Sequence, residues 1–368
     1  MAFLLLFLAL GGEDTALWTI EETEIYQPLR TDEVLVRPDG QVYILNYNES
    51  HVRRFDSSGQ LLGKIGRRGK GPGEFTYPSQ FFFMNGRLFV TDILTISVSI
   101  FEPDGTFVKR VTLPNRQISL VRVNQGWFYG DWKVLGREEK AGLYFANEDW
   151  SETQKLMTIE KEGFDGGTWI WTRDGKTTGR FNPFNNRPQL VVSRDGKKVF
   201  ITDTETLSIH VIDVASRKKV ASLSLESPRI PFDFDWANER LKQVEERQRQ
   251  HKVKFETNFP EFFPVIRQIV MDPSGHLVVD RWRGRPDENH YPIALDQQGN
   301  EKNLDYPWEV LERIAAVHDG HAYVTLMNEE VTDEAALAKV PLSQVVAFVA
   351  KNPVVFEGSS GRSYSISD

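Results

Sequence analysis

The chain has 368 residues, 40% of them apolar and 12% aromatic, and its 44 Lys and Arg face 52 Asp and Glu for a net charge of -8. The acidic balance argues against a uniformly basic nucleic-acid surface. With no cysteine in the chain, disulfides, thiolate nucleophiles, Cys-ligated zinc and iron–sulfur clusters are excluded together.

Phe3 to Leu10 is a short apolar run followed by Gly11-Gly12-Glu13-Asp14. It is too short to cross a bilayer as a helix, and no later segment is apolar enough to do so. It has the character of the apolar part of a secretory signal, although no Lys or Arg precedes it. Residues 1–12 are therefore expected to be a signal-like or disordered N-terminus. The expected location is periplasmic or secreted, with the cytoplasm as the alternative.

Residues 13–345 read as repeated β units, an organisation that escapes the usual prior of about 100–200 residues per domain. Leu17 to Tyr26 is β-like. A turn followed by an apolar or alternating strand then recurs six times. Asp39-Gly40 precedes QVYILN, Asn85-Gly86 precedes RLFVTD, and Gln125-Gly126 precedes WFYGDW. Asp195-Gly196 precedes KKVFITD, Ser274-Gly275 precedes HLVVDR, and Asp319-Gly320 precedes HAYVTL. An apolar run comes before each turn. Asp-Gly and Asn-Gly supply the positive φ that tight hairpins need, so each unit opens as strand, turn, strand.

The first two units also show their second halves. His51 to Phe55, a turn at Asp56–Gly59 and Leu61 to Ile65 are matched by Ser97 to Phe101, a turn at Glu102–Gly105 and Phe107 to Val111. Gly40 to Gly86, Phe55 to Phe101 and Gly59 to Gly105 are each 46 residues apart. Four antiparallel strands in about 40–50 residues make one propeller blade. Later units are looser, and the sixth offers a third strand at Ala336 to Val340 but no fourth. Leu17 to Tyr26 is placed to supply that outer strand, which would leave only short, protected edges. The expected fold is all-β, a six-bladed β-propeller of four-stranded antiparallel blades.

The segments RPDGQVYILNYNESHVRRFDSSG (37–59) and GKIGRRGKGPGEFTYP (63–78) resemble the NHL repeat. Asn46 and Asp92 occupy its acidic or amide position after the second strand. Asp203 matches with one extra residue, Asp131 and Asp280 match one residue early, and the sixth unit has Leu326 there. Over about residues 17–345 the chain is similar to bacterial 6-bladed β-propeller proteins related to NHL domains. That resemblance implies an export signal and a charged helical insertion before the fifth blade. Residues 226–264 fit the insertion: Trp236 to Lys254 is rich in Glu, Lys and Arg, with Ala237, Leu241 and Val244 at helical spacing. The two prolines of Asn258 to Pro264 end the helix. Residues 346–368 remain as a C-terminal tail. The resemblance also implies two kinds of metal-binding relative, lyase-like proteins with several channel histidines and lactonase-like proteins holding calcium through Glu, Asn and Asp.

The seven histidines (His51, His210, His251, His276, His290, His318 and His321) show no convergent set of three and read as scattered surface or turn residues. No G-x-S-x-G or phosphate-loop pattern is present. Gly66 to Gly73 is glycine-rich but opens no helix, and the basic run Lys64 to Lys70 reads as a solvated loop. Asp92, Asp131, Asp203 and Asp280 lie at second-strand ends. They could gather into a divalent-cation site, or each could cap its own loop by accepting backbone N–H groups. Asp280-Arg281-Trp282-Arg283-Gly284-Arg285 and the corresponding Trp132 place Trp and Arg, common binding anchors, at the same rim.

The expected function is a non-catalytic, exported scaffold that binds a protein or small-molecule ligand on the upper face. Its candidate ligand-binding residues are Asn46, Asp92, Asp131, Trp132, Asp203, Arg281, Trp282 and Arg283, with no cofactor. The alternative is a divalent-metal-dependent hydrolase or lactonase that holds calcium or zinc through Asp92, Asp131, Asp203 and Asp280.

Overall fold

A computed structural model describes residues 16–20, 33–113, 119–131, 140–148, 150–160, 168–173, 176–181, 188–203, 208–224, 229–247, 254–259, 261–263, 265–281, 291–296, 298–327 and 335–351. The fold is a six-bladed β-propeller of four-stranded antiparallel sheets. The chain forms two compact units, one from residues 1–116 with 306–357 and the other chiefly from 117–305.

Strand β1 (Trp18–Ile20) comes first in the chain. The first blade is β2 (Val34–Val36), β3 (Val42–Asn46), β4 (His51–Phe55) and β5 (Leu61–Ile65). The second is β6 (Pro78–Met84), β7 (Arg87–Asp92), β8 (Ser97–Phe101) and β9 (Phe107–Thr112). The third is β10 (Ser119–Val123), β11 (Gly126–Asp131), β12 (Lys140–Asn147) and β13 (Thr153–Glu160). A hairpin of β14 (Thr168–Arg173) and β15 (Lys176–Phe181) precedes the fourth blade, which is β16 (Leu190–Val192), β17 (Lys198–Asp203), β18 (Ser208–Asp213) and β19 (Lys218–Ser224). Helix α1 (Phe234–Arg247) and β20 (Lys254–Asn258) follow. The fifth blade is β21 (Ile266–Met271), β22 (Leu277–Arg281), β23 (Tyr291–Leu295) and β24 (Glu301–Lys302). After helix α2 (Trp308–Leu311), the sixth blade takes β25 (Ile314–His318), β26 (His321–Met327) and β27 (Ala335–Pro341), and helix α3 (Val345–Lys351) ends the described chain.

The second strand of a blade is buried on both faces, which explains its near-continuous apolar sequence. In β3, Val42 and Ile44 pack with Ile20, Tyr323 and Leu337 beside the sixth blade. Tyr43 and Leu45 point the other way, into Phe81, Leu88 and Val90 of the second blade. In the other unit, Val199 and Ile201 of β17 face Phe128 and Phe145 of the third blade. Phe200 between them faces Ile269 and Val279 of the fifth. The period-2 alternation of a strand thus cements each blade to both neighbours within its unit.

The outer strand of the sixth blade is β1. It pairs antiparallel with β27, Trp18 opposite Lys339 and Ile20 opposite Leu337. Ile20 is buried, and Trp18 meets Tyr323 edge-on at 5.8 Å. Of the segment Leu17 to Tyr26 expected to supply this strand, Trp18–Ile20 does so and residues 21–26 lie outside the described residues; the pairing covers an edge of β27 that would otherwise be open. Val345, Phe348 and Val349 of α3 are buried against the same blade.

The helical insertion differs from expectation at its C-terminal end. The Asp233 carboxylate accepts the Trp236 N–H at 2.8 Å, as an N-cap does, and Ala237 of the helix packs with Phe232 and Phe263. The described helix runs from Phe234 to Arg247, residues 248–253 lie outside the described residues, and Lys254, expected within the helical stretch, instead opens a strand. The cause is tertiary: β20 pairs with β14 from Thr168↔Asn258 to Thr172↔Lys254. The long connection before the fourth blade and the insertion before the fifth so build one three-stranded sheet, ordered β15-β14-β20.

Candidate functional site

The repeated polar residues all stand at or next to the ends of second strands, and their neighbours show what they do. Asp92 is 2% exposed. Its Oδ2 accepts the N–H groups of Thr76 (2.6 Å) and Tyr77 (3.1 Å), and its Oδ1 accepts those of Leu94 (3.0 Å) and Thr95 (3.1 Å). One carboxylate thereby fastens both the connection entering the blade and the loop leaving the strand. Asn46 plays a smaller version of the part, its Oδ1 accepting Glu49 N–H at 2.8 Å.

Asp280 is fully buried. Its Oδ1 accepts Tyr291 N–H at 3.0 Å, and its Oδ2 lies 3.7 Å from Arg267 Nε. Arg281, 8% exposed, directs its Nε at the Tyr291 carbonyl, 3.5 Å away. Asp280 and Arg281 are thus brought together with Arg267 and Tyr291. Asp131 and Asp203 end β11 and β17 as the repeat predicts, but their side chains lie outside the described residues, as do Trp132, Trp282 and Arg283.

The glycine-rich segment is a folded connection. Phe75 is buried among Phe81 and Phe101. Glu74 accepts Gly71 N–H at 2.8 Å and Arg67 Nε at 2.8 Å, and these bonds hold its carboxyl below the usual carboxylate range. Arg110 caps the Gly71 carbonyl at 3.0 Å. The basic run is solvated in part, with Arg67 81% exposed at its ion pair with Glu74.

Sequence reasoning missed a different cluster. At the turn between β21 and β22, His276 Nδ1 stands 3.4 Å from Asp272 Oδ2 and 3.3 Å from Asp305 Oδ2. Among the described residues it is the group of His and acidic side chains whose ligand atoms converge, all within 4.8 Å of one another. His276 does follow a turn glycine, as expected, but it is engaged between two carboxylates. The i,i+4 spacing of Asp272 and His276 was readable in the sequence; the arrival of Asp305 was not.

Blade composition and order define the class: a six-bladed β-propeller. In agreement, a family model described as "6-bladed beta-propeller" matches residues 16–163. A crystal structure from Bacteroides fragilis, described as that of a candidate exported protein, is similar with a TM-score of 0.50 at 15% identity, covering 86% of this chain and 91% of that one. A calcium-binding protein, regucalcin, from Agrobacterium tumefaciens is similar with a TM-score of 0.41 at 11% identity, covering 89% and 94%. Virginiamycin B lyase from Staphylococcus aureus is similar with a TM-score of 0.42 at 9% identity, covering 88% of each. No curated protein sequence matches the chain. At 15% identity the likeness to the Bacteroides fragilis structure shows the fold alone. Among the described residues, no helix is long and apolar enough to cross a membrane.

Proposed function

We propose that this chain is a non-catalytic binding scaffold whose ligand, a protein or a small molecule, docks where the second strands end. The observation that carries the reading is Asp92, whose two oxygens are occupied by four backbone donors. A carboxylate used in this way holds loops and has little left to offer a metal. Asn46 and Asp280 are engaged in the same manner. The connections that follow the strand ends then serve as recognition elements. Trp282 and Arg283 supply one anchor group and Trp132 another, residue types that dominate binding hot spots, while Arg281, buried and turned to the Tyr291 carbonyl, holds the strand end from which the first group leaves.

The test is a thermal-shift screen of the purified full chain against a panel of soluble small molecules and peptides. Each hit is repeated on the Trp132→Ala/Trp282→Ala double variant. A shift lost in the variant supports the surface; a shift that survives removes it. Lactone or ester hydrolysis by the wild type that disappears in Asp131→Ala and Asp203→Ala would replace the scaffold with the metal-dependent hydrolase. We also infer export to the periplasm or medium, which the apolar run Phe3 to Leu10 supports. N-terminal sequencing of the protein recovered from each cell fraction tests this, and an intact Met1 in the cytoplasmic fraction alone would overturn it.

A further inference from the structure

Two turns of the fifth blade each open with an aspartate and differ in the residue four places on. Asp296 opens the β23–β24 turn. Its Oδ1 accepts the N–H groups of Gln298 and Asn300, each at 2.9 Å, and its Oδ2 accepts the Asn300 side-chain amide at 3.0 Å. Asp56 closes the equivalent first-blade turn similarly, taking Ser58 and Gln60 N–H, each at 2.9 Å. Asp272 opens the β21–β22 turn, and its Oδ1 takes His276 N–H at 2.7 Å. Where Asn300 returns an amide to Asp296, the chain has His276.

The consequence is an unsatisfied buried carboxylate oxygen. The Asp272 side chain is 1% exposed, and its Oδ2 has no hydrogen-bond partner. His276 Nδ1 is buried and lacks one as well. The contacts of Nδ1 with the two carboxylates, at 3.3 and 3.4 Å, are therefore close approaches without a hydrogen bond. A buried carboxylate oxygen left in this state is costly until a hydrogen-bond donor or a cation completes it.

The spacing fits such a cation. Zinc binds imidazole nitrogen and carboxylate oxygen at about 2.0–2.2 Å in a tetrahedron, whose edges are then about 3.3–3.6 Å. Both Nδ1–Oδ2 separations fall at that edge length. The nitrogen donor disfavours calcium and magnesium, which prefer oxygen ligands. We propose that Asp272, His276 and Asp305 form a binding site for a zinc-class divalent ion, with water at the fourth position. The ion ties the first turn of the fifth blade to the segment leaving its last strand. The site is separate from the strand-end surface, so the two readings stand or fall independently.

The full chain, stripped with a chelator and dialysed, is titrated with Zn2+, and with Co2+ followed by visible absorption. Expected are one Zn2+ per chain by elemental analysis, a tetrahedral Co2+ spectrum, and a melting temperature that rises with Zn2+ and not with Ca2+. His276→Gln and Asp305→Asn each lower Zn2+ affinity by at least about tenfold. Their side chains are 33% and 46% exposed, so both variants keep the fold, which far-UV circular dichroism checks. Zinc content far below one per chain overturns the proposal, as does wild-type affinity in both variants. Tighter binding of Ca2+ than Zn2+ overturns the metal class.

Discussion

Replacing Asp92 separates a loop clamp from a metal ligand. Asp92→Ala leaves four N–H groups without their acceptor. Those of Tyr77 and Leu94 belong to exposed residues and regain water, whereas Thr76 and Thr95 are half-buried. With charged hydrogen bonds contributing about 1.5–3 kcal/mol each, the two half-buried donors set an expected loss of about 3–6 kcal/mol. Asp92→Asn keeps one oxygen and turns an NH2 toward the other two donors, so about half that loss is expected. Urea unfolding followed by tryptophan fluorescence measures both, provided the slope with denaturant stays constant between variants. A loss below about 1 kcal/mol in Asp92→Ala would refute the clamp, and a loss of bound metal with unchanged stability would assign Asp92 to the alternative site.

Three further outcomes are expected. At Gly66, φ is +78° and an added Cβ would lie 2.1 Å from Phe75 Cε2, whereas at Gly86 φ is +79° with nothing within 4 Å; Gly66→Ala should cost about 2–4 kcal/mol and Gly86→Ala about 1 kcal/mol, and equal urea midpoints would refute the difference. Ile20→Ala, in the strand that completes the sixth blade, should cost about 2–4 kcal/mol by thermal or urea unfolding, and a smaller loss would show that the pairing of β1 with β27 contributes little. Burial first, then the charges of Lys64 and Arg53, hold the His51 imidazole pKa below its ordinary 6.5 against the opposing Glu49, and Arg53 Nε donates to its Nε2 at 3.2 Å. The unfolded chain thus takes up this proton first, so stability falls as pH drops from 6.5 toward the lower folded value and levels off below it; His51→Gln should lessen that slope, and an unchanged slope in urea midpoints across the range would refute the assignment.

Local chemistry made most of the fold readable. Gly40, Gly86, Gly196, Gly275 and Gly320 all have φ between 70° and 89°, so these five turn dipeptides placed their hairpins for the expected reason, whereas Gly126, with φ 150°, opens β11. The 46-residue offset was visible because Gly40, Phe55 and Gly59 hold the same places as Gly86, Phe101 and Gly105 in adjacent blades. Long-range pairing was not readable in this way. Charged residues continue past Arg247, and only the partner strand β14, more than 80 residues earlier, makes Lys254–Asn258 a strand. The Asp92 clamp was half legible: Leu94 and Thr95 are sequence neighbours, but Thr76 and Tyr77 lie 16 and 15 residues back.

The same contrast separates fold from function at the polar positions. A residue type that recurs blade after blade is accounted for by what every blade needs, a loop fastened to a strand end, and Asn46, Asp92 and Asp280 are each bonded to a backbone N–H of such a loop. A cluster that the repeat does not require calls for its own cause. His276 stands where the turn of Asp296 has Asn300, and with that exchange Asp272 loses the donor its counterpart keeps. Asp305 then arrives from beyond the last strand of the blade. No feature of the repeat requires a histidine between two carboxylates, so this convergence carries more functional information than the six-fold regularity around it.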